Sequence, residues 1–144
     1  MKVAALRSPR DQVRGIVHFG RMLDKFRLQQ SGKLPSEYQQ NLGGGFDERC
    51  LTFLSIKYPA LIDRVKQGGS DEEILEWCFR EGRHPSEQEI EVWNGFMSKR
   101  GWNDDSSELL QRRLKESGFE GRSDIQTFFD FIDLDEGRDP RGLS

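Results

Sequence analysis

The sequence has few of the residues that mark a secreted, membrane-bound or disulfide-bonded protein. It contains two cysteines in 144 residues, Cys50 and Cys78, too few for a disulfide framework. No apolar run approaches the roughly 20 residues that a membrane-spanning helix needs. Arg7 and Pro9 interrupt the short apolar stretch near the start, so we expect no secretory signal. These absences predict a cytosolic protein with both thiols reduced and buried.

Apolar residues are also scarce, at 34% of the chain, and charged residues are almost as frequent at 33%. Disordered chains share this balance but have few aromatic residues, whereas this chain has ten Phe and three Trp. A chain of this length can bury roughly 68–70% of its unfolded surface. We therefore expect one ordered domain over 1–138 and a frayed tail over 139–144.

The spacing of the apolar residues predicts an all-α fold. They recur at intervals of three and four, and no hairpin dipeptide lies between alternating runs, so we expect no sheet. Capping boxes are predicted at Ser70 with Glu73, Ser86 with Glu89, Ser8 with Asp11, Asp105 with Glu108, and Ser123 with Gln126. The predicted helices cover 9–31, 46–55, 59–67, 71–81, 87–100, 105–117 and 124–136, with a further helical turn at 36–41. We expect an irregular array of about six to eight short helices rather than a coiled coil.

Charge is distributed unevenly along the chain. Residues 1–34 contain eight basic and two acidic residues, whereas residues 35–144 contain fourteen basic and twenty-three acidic ones. The total of −3 argues against a nucleic-acid partner. The basic segment is either an arm that binds a polyanion or, as we favour, a helix that lies across acidic partners within the fold.

Four potential cations share one face of the predicted first helix. At 100° per residue, Arg14, His18, Arg21 and Lys25 lie within a sector of roughly 60°. Arginine suits carboxylate and phosphate groups, and neighbouring cations should keep His18 neutral near pH 7. This face could bind a small anionic ligand or an acidic protein segment. Alternatively, solvent or acids from other helices satisfy it, as is common for runs of charge.

Asp24 lies at the edge of the apolar face of the same predicted helix. A carboxylate there needs a partner, because an unpaired buried charge is costly. We favour a structural ion pair over a functional site, since ion-pair networks account for such a group equally well.

Motifs for cofactors, metals and covalent catalysis are not found. The Gly43–Gly45 stretch matches neither the phosphate-binding loop nor the dinucleotide fingerprint, so we expect an ordinary loop. His18, His84 and the two cysteines are not at metal-ligand spacing, and the acids near the end lack the calcium-loop pattern. We therefore expect no metal and no cofactor. Both cysteines are flanked by apolar residues, which is typical of inert core thiols.

Three functional hypotheses remain open at this point. The first is a binding module that uses the basic helix face formed by Arg14, His18, Arg21 and Lys25. The second is a small enzyme in which His18 is the acid or base and Asp24 orients it, although six residues separate the two. The third is a structural role in which charge asymmetry drives homo-oligomerisation. We expect neither a membrane nor a nucleic acid as partner.

Several stretches together resemble a known family. They are the opening 6–10, His18 with 21–25, the segment 68–77, Gly82 and Arg83 with 86–94, and the closing 128–138. This pattern resembles the small bacterial proteins grouped as DUF5069, a family of unknown function, and it spans nearly the whole chain. The resemblance implies a bacterial, one-domain protein. It implies no substrate.

Overall fold

A computed structural model describes residues 3–140 of the protein. In chain order its elements are β1 (Gln12–Val13), β2 (Ile16–Val17), α1 (Phe19–Gln30), a 3-10 turn (Ser36–Tyr38), α2 (Phe46–Leu54), α3 (Tyr58–Lys66), α4 (Asp71–Glu81), α5 (Glu87–Lys99), α6 (Ser107–Glu116) and α7 (Phe128–Asp135). The prediction of a predominantly helical fold is confirmed. Of the predicted frayed tail, residues 141–144 lie outside the described residues. No helix between residues 3 and 140 is both long enough and apolar enough to cross a membrane.

The predicted first helix is wrong over its first half, where the chain forms a small hairpin. β1 and β2 pair antiparallel, with Val13 opposite Ile16. Arg14 and Gly15 form the turn with φ values of 48° and 85°, which matches the two-residue turn favoured by strand twist. His18, with φ 71°, then separates the hairpin from α1. The expectation of no sheet is therefore wrong too, because the apolar residues of these short strands also fit helical spacing.

Two of the predicted capping boxes are confirmed. Ser70 accepts a hydrogen bond from the Glu73 amide at 3.1 Å, and the Glu73 side chain accepts one from the Ser70 amide at 3.0 Å. Ser86 and Glu89 form the same reciprocal pair at the start of α5. Each box satisfies two amide groups that the first helical turn leaves without partners.

The remaining predicted caps are wrong. α7 begins after Thr127, whose hydroxyl accepts a hydrogen bond from the Asp130 amide at 3.1 Å, and not near Ser123. Residues 8–11 form a turn rather than a helix start, so Ser8 caps nothing helical. Asp105 precedes α6 by two residues and does not cap it.

The apolar side chains form two clusters. The main cluster combines the hairpin, α1 to α5 and Phe129 of α7, and in it Trp93 stacks on Phe53 with ring centroids 4.7 Å apart. The second cluster is smaller and joins α6 to the segment around α7 through Leu110 and Ile125. Burying each large side chain contributes about 1.5–3 kcal/mol, so the main cluster supplies most of the stability.

The two cysteines are free and buried, as the sequence predicts. Burial raises the pKa of the Cys50 thiol well above its ordinary value and raises that of Cys78 to about 12. Both groups are therefore thiols at neutral pH and poor nucleophiles.

The basic N-terminal segment pairs with acids from elsewhere in the fold. Nε of Arg7 lies 2.9 Å from Asp24, and its Nη1 lies 2.8 Å from Asp71. Arg10 reaches Asp130 of α7 at 2.6 Å. Acids within the fold therefore satisfy these cations, as the favoured interpretation expects, but Arg7 and Arg10 lie before the hairpin and not on a helix.

Candidate functional site

A cavity of about 450 Å³ lies between α1 and α2 on one side and α6 and α7 on the other. It lies where the two hydrophobic clusters meet, and Phe46 and Phe128 touch across this junction with ring centroids 6.1 Å apart. His18, Arg21 and Lys25 line it, so it contains three of the five predicted site residues. Its apolar wall comprises Phe46, Leu109, Phe128, Phe131 and Ile132.

A buried ion cluster centred on Asp47 adjoins this cavity. One carboxylate oxygen, Oδ1, lies 2.7 Å from Nε2 of His18. The other, Oδ2, lies 2.8 Å from Nζ of Lys25 and accepts the amide hydrogen of Gly43 at 3.1 Å. His18 immediately precedes α1 and Lys25 lies two turns further on, and both side chains meet Asp47. Asp47 lies in the first turn of α2, where the helix dipole favours a carboxylate.

The environment fixes the protonation states in this cluster. Burial alone would raise the pKa of Asp47, but the hydrogen bond from His18 and the charge of Lys25 hold it below its usual range. Burial lowers the pKa of His18 below its ordinary value, against the opposing effect of Asp47. Near neutral pH, Asp47 is therefore ionised and His18 is uncharged. The hydrogen-bond geometry assigns the His18 proton to Nε2, because Asp47 can only accept.

Arg21 and Glu136 form a second buried pair that lines the cavity. The two guanidinium nitrogens of Arg21 each lie 2.7 Å from a separate oxygen of Glu136, a bidentate arrangement. The Tyr38 hydroxyl donates to the same carboxylate at 2.8 Å. Burial alone would raise the pKa of Glu136, but Arg21, Arg138 and Tyr38 together lower it. Arg21 is therefore already neutralised and cannot supply net charge to a ligand.

Three further arginines, Arg49, Arg100 and Arg113, line the cavity without buried carboxylate partners. Arg100 lies 2.7 Å from Asp105, whose side chain is 86% exposed, and 3.4 Å from Asp104, whose side chain is 26% exposed. Arg113 pairs with the half-exposed Glu116 at 3.2 Å. Within residues 3–140, no carboxylate pairs with Arg49. Exposed pairs contribute little free energy, so a bound anion can replace Asp105 and Glu116 at small cost.

The structure corrects the predicted line of four cations. Arg14 lies in the hairpin turn rather than on the helix, and it binds Glu76 at 2.7 Å outside the cavity. Asp24 also lies outside it, and it forms an ion pair with Arg7, from which it accepts hydrogen bonds. The hypothesis that Asp24 orients His18 is wrong, because Asp47 does so.

Sequence reasoning missed Asp47 and the three arginines Arg49, Arg100 and Arg113. The glycine loop that precedes α2 has a role in the site, since Gly44 and Gly45 line the cavity and Gly43 binds Asp47. A side chain at Gly43 would come within 2.5 Å of the Tyr58 ring, and its φ of 77° also favours glycine. No group of three or more His, Cys, Asp or Glu side chains in the described part of the chain is arranged to hold a metal ion.

Comparison with known proteins places this chain in a family. A search of curated proteins finds no match. The family model for a domain of unknown function, DUF5069, matches residues 3–138. Every residue that lines the cavity falls within that range. The chain therefore belongs to the DUF5069 family.

Proposed function

We propose that this protein binds a small organic anion in the cavity between α1, α2, α6 and α7. The observation that carries the proposal is the combination of an apolar wall with three arginines whose carboxylate partners are exposed, partly exposed or absent within residues 3–140. Ligand sites are typically concave and mostly apolar, with a few polar groups that fix orientation.

The charge for an anion comes from Arg49, Arg100 and Arg113 rather than from the predicted helix face. Arg21 and Lys25 are neutralised by buried carboxylates, so they form part of the wall. Guanidinium groups bind carboxylate and phosphate through paired hydrogen bonds. The aromatic and aliphatic side chains opposite favour a ligand with an apolar body over inorganic phosphate. The cavity volume of about 450 Å³ favours a small molecule over an acidic protein segment.

The test compares matched anionic and neutral test ligands. Phenylacetate, phenyl phosphate and hexanoate are titrated against the protein by calorimetry, with 2-phenylethanol as the uncharged counterpart. We expect at least one anion to bind more tightly than the alcohol, and Arg113→Gln to weaken it by roughly tenfold, the loss of one charge-assisted hydrogen bond.

Arg122→Gln is the control for that experiment, because Arg122 pairs with the exposed Asp124 and does not line the cavity. It should leave the affinity unchanged. If none of the three anions binds, or if Arg113→Gln and Arg122→Gln behave alike, the proposal is wrong.

We also propose that the protein is bacterial, as its resemblance to the DUF5069 proteins implies, and that it is cytosolic. The support for a cytosolic location is the free, buried state of Cys50 and Cys78, which suits a reducing compartment. Cell fractionation with detection of the untagged protein tests this, and recovery mainly outside the cytosolic fraction would contradict it.

A further inference from the structure

His18 carries a nitrogen that the fold leaves without a partner. Its side chain is only 2% exposed, and Nδ1 has no hydrogen-bond partner among residues 3–140. Buried polar groups are nearly always paired, and leaving one unpaired costs stability. Such an exception in a residue that lines a cavity points to a partner supplied by the ligand.

The ring is held so that this nitrogen is an acceptor. Asp47 binds Nε2 at 2.7 Å and, being ionised, requires the proton to be there. Nδ1 therefore carries a free electron pair. Asp47 is in turn fixed by Lys25 and by the Gly43 amide, so the carboxylate cannot rotate away. A histidine oriented by a carboxylate is the arrangement that proteins use for a base.

The backbone of His18 is also unusual. Its φ of 71° lies in the left-handed region, which residues other than glycine seldom adopt. The amide of His18 donates to Pro9 at 2.9 Å, and its carbonyl accepts from Met22 at 2.9 Å, so the surrounding chain imposes this conformation. Backbone strain of this kind clusters at functional sites.

We propose that His18 is the proton acceptor of this cavity and that Asp47 is its positioning residue. The bound organic anion supplies the proton that His18 accepts. This inference rests on the proposed anion site. In the step, a hydrogen–heteroatom or acidic hydrogen–carbon bond of the ligand breaks and its electron pair stays on the ligand. The proton forms a bond to Nδ1, and Asp47 stabilises the imidazolium that results.

The charges around the ring suit this role. Burial is the largest reason that the resting ring is neutral, and the charges of Lys25 and Arg21 of α1 add to it, whereas Asp47 of α2 favours the protonated product. Phe46 packs edge-on against the ring of His18, with ring centroids 5.8 Å apart, and also lines the cavity.

Affinity alkylation tests the proposal directly. Bromoacetate is a small organic anion, and a free imidazole nitrogen displaces its bromide to form a carboxymethyl group. We expect His18 to react at Nδ1 roughly tenfold faster than the exposed His84, because the cavity holds the reagent beside it. The two ring isomers are separated by amino-acid analysis after hydrolysis.

Three comparisons show whether the cavity is responsible. Neutral bromoacetamide should show no preference for His18 over His84. Saturating phenylacetate should protect His18 from bromoacetate, and Arg113→Gln should slow the reaction of His18 with bromoacetate. A parallel NMR measurement on ¹⁵N-labelled protein should show Nδ1 of His18 unprotonated and Nε2 protonated at pH 7.

The outcomes separate this inference from the proposed function. If phenylacetate binds but His18 reacts no faster than His84, or reacts at Nε2, the assignment of His18 as proton acceptor is wrong. The proposed anion binding is then unaffected. If His18 reacts selectively but Arg113→Gln and phenylacetate have no effect, Nδ1 of His18 is available to react as proposed, but the proposed anion site is wrong.

Discussion

Single residues carry most of the information about this site, and Asp47 is the most informative. In α2 the buried positions are Asp47, Cys50, Leu51 and Leu54, which form one stripe at helical spacing. A carboxylate at the first position of that stripe must be buried with the rest. The sequence therefore contained the signal for a buried ion cluster, although it could not identify His18 and Lys25 as the partners.

The uncharged state of His18 predicts how stability depends on pH. Burial and the charges of Lys25 and Arg21 lower its pKa in the folded state, so the unfolded chain takes up this proton first as pH falls. The free energy of unfolding should therefore decrease below about pH 6.5, by up to about 1.4 kcal/mol per pH unit from this group. Urea denaturation between about pH 7.5 and 5.5 measures how the free energy of unfolding changes with pH. This range extends roughly one unit either side of the ordinary histidine pKa of about 6.5, which applies to the unfolded chain.

His84 provides the matched comparison, because it is the other histidine of the chain and its side chain is exposed. His84→Gln should keep the wild-type slope, whereas His18→Gln should reduce it. Equal slopes in the two variants would contradict an uncharged His18 in the folded protein.

Among the elements, those with strong periodicity and clear caps were predictable, and the hairpin was not. α2 to α6 lie within two residues of their predicted ranges, because their apolar stripes have helical spacing and capping boxes begin α4 and α5. The hairpin depends on two residues with positive φ, and nothing in the local pattern excludes a helix there. Since Arg14 was placed on that helix, the error in the element became an error in the site.

The hairpin turn yields a prediction at the scale of the element. Gly15→Ala introduces no close contact, since a Cβ there would meet nothing within 4 Å, but it forces alanine into φ 85°. We expect a loss of about 1 kcal/mol in the free energy of unfolding. Gly95→Ala also meets nothing within 4 Å, yet Gly95 lies inside α5, so we expect a gain of up to about 1 kcal/mol. Chemical denaturation of both variants measures the two effects, and changes of the same sign would contradict the assigned turn.

Over the whole molecule, the asymmetry of charge allows ion pairs to join segments that are distant in the sequence. Cations from the N-terminal segment reach acids up to 120 residues away, as Arg10 does with Asp130. Sequence alone gave the sign and the location of this imbalance. It could not give the pairings, because they depend on contacts between the two ends of the chain.

The Arg21–Glu136 pair tests this view of the molecule, because it joins α1 in the main cluster to the end of α7 beside the second cluster. Glu136→Gln leaves the buried Arg21 without a countercharge, so we expect it to cost about 3–5 kcal/mol. The double variant Arg21→Met with Glu136→Leu should recover much of that loss, since it removes both charges. Glu76→Gln breaks the exposed pair with Arg14 and should leave stability nearly unchanged.

Hydrogen exchange shows where the loss of this pair acts. If Arg21 and Glu136 couple the two clusters, the amides of α6 and α7 should exchange faster in Glu136→Gln while those of α3 and α4 change less. A uniform increase across all helices would instead mean that the pair stabilises one cooperative unit. Because the cavity lies between the clusters, saturating phenylacetate should restore protection in α6 and α7 if the anion binds there, since a ligand of the folded state stabilises it by mass action.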